Sequence, residues 1–195
     1  MFLFEIVNDA DVITYFKRAK EISNRSPCTR KKVGAVLFKN ATFVDGYNYP
    51  AYRADDVTVD NDNETLSDVV HAEMDIITKL ASKYHGFISK DSSIISTLSP
   101  CIQCAKNIIR LGIKDFYFRD IHHVRPLVLL MASNINVYQI VEVDVTTTKG
   151  SDVAIKIETS HVSTLYYKCL NNDPAYKELI KLCNTNPKVF LSQTA

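Results

Sequence analysis

The chain has no tryptophan, and only five glycines and six prolines among its 195 residues. So little glycine and proline excludes collagen-like and low-complexity architectures. It also lacks an excess of either charge: 23 Lys and Arg stand against 22 Asp and Glu, a net charge of +1. That balance argues against broad, sequence-independent nucleic-acid binding, which wants a basic surface. It leaves a small anionic ligand open. No run approaches the roughly 18 apolar residues that span a bilayer, so no membrane partner is expected. Residues 1–10 have no basic region, and Glu5 interrupts their apolar start; they are expected to be neither a signal peptide nor an anchor. Five cysteines are odd in number and sparse for a secreted disulfide scaffold. The expectation is a soluble, cytoplasmic protein whose thiols stay reduced and available to metal.

What is present is 46% hydrophobic and 10% aromatic, enough for one core in a domain of ordinary size. Residues 8–23 read as a helix, capped by Asn8 or Asp9 and ended before Ser26-Pro27. Val33–Phe38 reads as a buried strand, Lys39-Asn40 as a turn, and Thr42–Val44 as the return strand. Residues 45–63 read as one long polar loop, of the length that tends to serve function. A second helix is expected over 68–84, a strand over 93–98, and a third helix from Pro100 to the stop at Gly112. A strand over 116–118, a short helix over 125–132 and a strand over 136–141 follow. This order predicts an α/β, three-layer domain with a mixed central sheet flanked by helices. Beyond it, alternation in Val141–Val145 and Val153–Glu158 around Lys149-Gly150 predicts a hairpin. Residues 162–182 predict a helical extension broken near Asp173-Pro174. Residues 1–141 are therefore taken as the domain, and 142–195 as an extension packed on it or at a subunit interface.

Two short motifs carry chemistry: His71-Ala72-Glu73 and Pro100-Cys101-Ile102-Gln103-Cys104. Each stands at an expected helix start. A Cys-x-x-Cys pair opening a helix places both sulfurs on one turn beside unpaired backbone N–H groups, which favour thiolate. A His from a neighbouring helix start would complete a His/Cys/Cys zinc site, one ion per subunit, with its fourth position open to water. Glu73 lies about 200° around a helix from His71, so His71 can aim at metal while Glu73 aims at the water. Zinc brings the pKa of such a water toward about 7, and Glu73 would carry its proton to a ring nitrogen. Two other readings stay open on these residues. One is a thioredoxin-like redox pair. The other is a structural zinc site completed by His122 or His123.

Taken together, these motifs resemble the zinc-dependent cytidine/deoxycytidylate deaminase family, specifically the deoxycytidylate branch. The likeness runs over about residues 13–140. Its blocks are Cys28–Val36, Gly46-Tyr47-Asn48, His71–Met74, and Leu98–Lys106 continuing through Ile108–Lys114. The resemblance implies hydrolytic conversion of dCMP to dUMP and a small-molecule nucleotide partner. It also implies a homo-oligomer, often a hexamer, with dCTP and dTTP as effectors. By motif, His71, Cys101 and Cys104 correspond to zinc ligands and Glu73 to the proton shuttle. Ala72 corresponds to a backbone contact with the pyrimidine, Asn48 to a sugar- or phosphate-side contact, and Arg30 to a phosphate holder.

The chain departs from the family pattern at three places. Tyr49 stands where relatives carry Gly, and glycine adopts a positive-φ turn more cheaply than tyrosine, so the loop is expected to change shape beside the sugar. Asp75 stands where relatives carry Asn. The segment Arg119-Asp120-Ile121-His122-His123 stands where relatives place a substrate-binding Tyr. Tyr49, Arg119 and His122 are accordingly candidate substrate contacts. Arg53, Asp55, Asp56 and His123 are candidate effector or phosphate contacts. Three further readings compete with dCMP deamination. They are the same chemistry on a modified or different cytosine nucleotide, a catalytically silent nucleotide- or partner-binding protein, and a deaminase of single-stranded nucleic acid.

Overall fold

The computed structural model describes residues 10–52, 67–83, 90–145 and 154–161, with backbone alone for 83, 141–145 and 154–161. Among them the order is α1 (Ala10–Ser23), β1 (Gly34–Lys39), β2 (Thr42–Tyr47), β3 (Tyr49–Pro50), β4 (Val69–Val70), α2 (Ala72–Lys83) and β5 (Ser93–Leu98). Then come α3 (Ile102–Arg110), β6 (Asp115–Asp120), α4 (Val124–Ala132), β7 (Asn136–Val145) and β8 (Ala154–His161). Six strands form one sheet in the order β2-β1-β5-β6-β7-β8. β1 pairs antiparallel with β2 and β5, β5–β6 and β6–β7 are parallel, and β7–β8 is antiparallel. β3 and β4 make a separate two-stranded ribbon.

The mixed sheet is sandwiched. Successive residues of β1 face opposite ways: Ala35 and Leu37 enter one core, Val36 and Phe38 the other. That is why Gly34–Phe38 reads as unbroken apolar sequence rather than an alternation. The first core joins Ile76 and Leu80 of α2, Ala105 and Ile108 of α3, and Leu127 and Leu130 of α4 to Phe116 and Phe118. The second is smaller and packs Val12, Tyr15, Phe16 and Ala19 of α1 against Val36, Ile95 and Tyr117. Each fully buried Leu, Ile or Phe contributes about 1.5–3 kcal/mol.

Close approach sets where α1 and α2 sit. A Cβ on Gly34 would overlap the Ala19 carbonyl oxygen and the Ser23 backbone nitrogen of α1. A Cβ on Gly46 would lie 2.6 Å from the Ala72 carbonyl oxygen, so glycine there lets the first turn of α2 rest on β2. An ion pair from Arg18 to Asp45 at 2.6 Å, with the Lys79 ammonium on the Asp45 carbonyl at 2.9 Å, ties α1, β2 and α2 together.

Several boundaries differ from expectation. The expected loop 45–63 begins as strand: β2 runs through Tyr47, and Tyr49-Pro50 pair with Val70 and Val69. The second helix starts at Ala72, because Val69 and Val70 are spent on that ribbon. The hairpin is formed, with Val145 opposite Ala154 and Tyr138 opposite His161. β7 runs unbroken through the expected domain edge at 141/142. The helical reading of 162–182 falls outside the described residues.

Gly34→Ala should lower unfolding stability by about 2–3 kcal/mol, since backbone atoms cannot yield to the new methyl. Gly112→Ala, where φ is +69° and the nearest atom to a Cβ is 3.7 Å away, should cost about 1 kcal/mol from backbone strain alone. Urea titration of both variants measures the difference.

Candidate metal centre and its cavity

Three side chains converge from two helix starts. The Asp75 amide donates to the His71 carbonyl at 3.0 Å, which places His71 at the N-cap of α2. Cys101 is the N-cap of α3, and its Sγ accepts the Cys104 amide at 3.3 Å. Cys104 is then one turn into the helix, buried against the first core. Sequence dictates this local geometry: Pro100 cannot continue a hydrogen-bonded strand, and a thiolate caps as an oxygen would.

The donor atoms of His71, Cys101 and Cys104 all lie within 4.8 Å of one another. Cys104 Sγ is 3.5 Å from His71 Nδ1. Two ligands at about 2.0–2.3 Å from a tetrahedral zinc stand about 3.5 Å apart, so the triad fits that ion. Protonation points the same way. Cys101 is pulled down to about 3, first by a hydrogen bond from Cys104 and then by His71, against burial. Cys104 is pushed strongly up by that same hydrogen bond, by burial and by the Glu73 charge. One proton is thus shared between two crowded sulfurs, and a cation there takes its place. His71 is raised, first by its bond to the Cys101 sulfur.

Glu73 is 3% exposed. Burial raises its pKa, while its own backbone N–H and the His71 charge oppose the shift. Its carboxyl meets the Cys104 thiol. No other group of three or more His, Cys, Asp or Glu among the described residues could hold a metal. His122 and His123 are not members of this one, so among those residues the four-ligand structural site does not form.

The triad opens into a cavity of about 220 Å³. His71, Ala72, Glu73 and Cys101 line its metal-facing part, Val33, Val69 and Leu98 give it apolar walls, and Arg30 and Lys31 bring positive charge to it beside the His122 and His123 rings. Cys28, which is buried, also lines it. Asn48 reaches the cavity and is 6% exposed. Its Oδ1 accepts the Val33 amide at 2.7 Å, and its Nδ2 donates to the Lys31 carbonyl at 2.8 Å. It therefore fixes the extended segment before β1 that carries Arg30 and Lys31. Asp75 lies one layer behind, accepting from the Tyr47 amide at 3.2 Å and from Lys79 at 2.8 Å.

Two expected contacts fall elsewhere. Tyr49 is extended in β3, outside the cavity lining, beside the Tyr47 ring at 5.7 Å. Its backbone is not among the positive-φ residues of the described chain, which are Asn40, Asp91, Asn134 and Gly112, so Tyr49 makes no positive-φ turn and the segment runs extended instead. Arg119 is likewise outside the lining, its guanidinium on Asp120 at 2.7 Å. Arg53, Asp55 and Asp56 lie outside the described residues. Sequence reading missed Ser99, a buried hydroxyl at the cavity whose one signal was its place directly before Pro100-Cys101.

At the mouth, the His122 and His123 rings lie 3.9 Å apart. The Lys31 ammonium meets His122 Nδ1 at 3.1 Å. Partial burial, then His123, Lys31 and Arg30, lower the His122 pKa to about 4.

A sequence model of the family described as the cytidine and deoxycytidylate deaminase zinc-binding region matches residues 10–120. ComE operon protein 2 of Bacillus subtilis (strain 168) is 34% identical over 107 residues, which cover 52% of this chain and 55% of that protein. A probable deoxycytidylate deaminase of Caenorhabditis elegans is 34% identical over 114 residues, 54% of this chain and 55% of its own. The chain thus spans about half the length of these curated relatives. Among solved structures, the dCMP deaminase of cyanophage S-TIM5, in complex with dCMP and dUMP, is 28% identical with a TM-score of 0.63. That match covers 68% of this chain and 98% of the phage protein. No helix among the described residues is long and apolar enough to cross a membrane.

Alanine at His71, Cys101 or Cys104 should weaken zinc binding at least about a hundredfold, read by competition with a chelator. Zinc uptake should release a proton, so affinity should fall as pH is lowered. His122 gives a separate pH signature. Its folded pKa is depressed from 6.5 to about 4, so the stability carried by the neutral ring is intact above 6.5 and is lost as pH falls toward 4. His122→Gln should flatten that slope in urea unfolding, and added salt should flatten it in the parent chain.

Proposed function

The chain belongs to the cytidine and deoxycytidylate deaminase zinc-binding family, and from that premise we propose that it converts dCMP and water to dUMP and ammonia. Zinc-dependent deamination of a cytidine- or deoxycytidylate-type substrate is the family chemistry. One juxtaposition supports the finer reading: a His/Cys/Cys triad with a buried carboxyl at one end of the cavity, and Arg30, Lys31, His122 and His123 about the rest. A cytosine reaching the triad would leave its 5′-phosphate among the cations.

When bound, zinc supplies Lewis acidity and activates a water molecule as nucleophile. The chain's own residues supply the remainder. Glu73 accepts the proton that the attacking water loses and delivers it to the ring nitrogen beside the reacting carbon. It then carries the second water proton to the exocyclic amine, which leaves as ammonia. Its raised pKa suits this shuttle, because a carboxyl poised nearer neutrality both takes and gives a proton. Ala72, buried at the start of α2, offers backbone groups to the pyrimidine edge. Val33, Val69 and Leu98 exclude water from the ring faces. Asn48 holds the 31–33 segment so that Arg30 and Lys31 face the phosphate.

The same reading carries a homo-oligomer, a cytoplasmic setting and control by dCTP and dTTP. The chain's likeness to a probable deoxycytidylate deaminase and to a phage dCMP deaminase supports the choice of dCMP, as does the near-neutral net charge, which does not suit a polymeric substrate.

Ammonia release by the zinc-loaded chain tests the reading on dCMP, CMP, deoxycytidine and a cytosine-bearing single strand. The expected result is preference for dCMP and a loss of about 10²–10⁴-fold in kcat for Glu73→Gln with zinc retained. Turnover of the strand alone, or of nothing despite bound zinc, would overturn it.

A further inference from the structure

We propose that Ser99 is a positioning residue that sets the cationic mouth of the cavity, and with it the preference for phosphorylated over unphosphorylated substrate; the inference rests on the deaminase reading above. Ser99 stands between the end of β5 and Pro100-Cys101, and is 3% exposed. Its Oγ accepts the His122 amide at 2.7 Å and the His123 amide at 3.2 Å. The same hydroxyl donates to the His123 carbonyl at 3.4 Å. The Ser99 amide donates to the Asp120 carbonyl at 2.8 Å. Four hydrogen bonds from one residue thus clamp the turn 120–123.

This turn needs an outside partner. His123 is the N-cap of α4, yet its side chain makes no capping bond. The two amides that lead up to the helix, those of His122 and His123, take their acceptor from the Ser99 hydroxyl instead. From this turn the two imidazoles line the cavity side by side, tilted by 36° to each other. An ammonium only donates, so Lys31 Nζ at 3.1 Å makes His122 Nδ1 the acceptor and leaves the ring hydrogen on Nε2. The mouth then presents an ammonium, the Arg30 guanidinium and an imidazole N–H, all donors suited to phosphate oxygens. Their register depends on a hydroxyl two residues from a metal ligand. Without the hydroxyl, two partly buried amides lose their acceptor, and the turn moves to find another. A nucleoside has no group that uses this mouth, so only phosphorylated substrate registers the shift.

The test compares the parent chain, Ser99→Ala, Ser99→Thr and His122→Ala, all zinc-loaded. Ser99→Ala is expected to lower the ratio of kcat/KM for dCMP over deoxycytidine about tenfold, through KM. Zinc content and deoxycytidine turnover stay unchanged, and the His122 and His123 amides exchange hydrogen faster. Threonine, which keeps the hydroxyl, restores the ratio and the slow exchange. His122→Ala, which leaves the clamp in place, lowers the ratio similarly and keeps the test available if Ser99→Ala does not fold. Equal losses on both substrates, loss of zinc, or faster exchange with an unchanged ratio would each overturn the proposal. If the parent chain deaminates neither compound, the deaminase reading fails by itself. The mouth is then titrated with inorganic phosphate and followed by histidine ring NMR shifts. Tenfold weaker binding in Ser99→Ala upholds the clamp, and equal binding overturns it.

Discussion

Everything at this site depends on two helices beginning at the same place. A helix start leaves backbone N–H groups without partners, and they attract negative charge. His71 caps one such start and Cys101 the other, so ligand and backbone geometry are set together. Two glycines make the convergence possible. Gly46 lets the first turn of α2 lie on β2, and Gly34 lets α1 press on the strand that leads into the cavity. The parallel pairing of β5 with β6 then delivers the Cys101 turn and the His122–His123 turn to the same edge of the sheet, where crevices of α/β folds form.

Around this convergence runs a layer of polar groups whose work is to hold backbone. Asn48 spends both ends of its amide on the segment 31–33 before β1. Ser99 spends its hydroxyl on the turn before α4. Asp75 spends one oxygen on the Tyr47 amide and the Lys79 ammonium. Both of those partners donate, which suits a side chain whose oxygens accept. Each of these side chains is nearly buried, so each unmade bond would cost about 1–3 kcal/mol. The layer therefore gives the cavity one shape.

Much of this was legible in the sequence, for identifiable reasons. β5 was expected over Ser93–Leu98, where it is found, because the β-branched Ile94, Ile95 and Thr97 make up half of it. The metal triad was legible because chemistry limits which residues bind zinc and at what spacing. Val69-Val70 was misread as helix because two valines beside an amphipathic stretch satisfy either period, and only pairing with Tyr49-Pro50 decides. Tyr49 was expected to reshape a loop beside the sugar because the segment was read as loop; the segment is an extended ribbon, which takes tyrosine easily. Arg119 was expected at the cavity from its place at a strand end, but strand residues alternate sides, and Asp120 takes its guanidinium. Ser99 was illegible because its partners lie 23 and 24 residues away, and nothing local distinguishes a clamping serine from a solvated one.

The central claim is that three protein donors hold zinc and that its fourth position faces the cavity. X-ray absorption at the zinc edge tests this most directly. The account predicts two sulfurs at about 2.3 Å and one imidazole nitrogen at about 2.0 Å, together with one light ligand that changes when a cytosine nucleotide or its product is added. A shell of four protein donors, unchanged by any nucleotide, would contradict it.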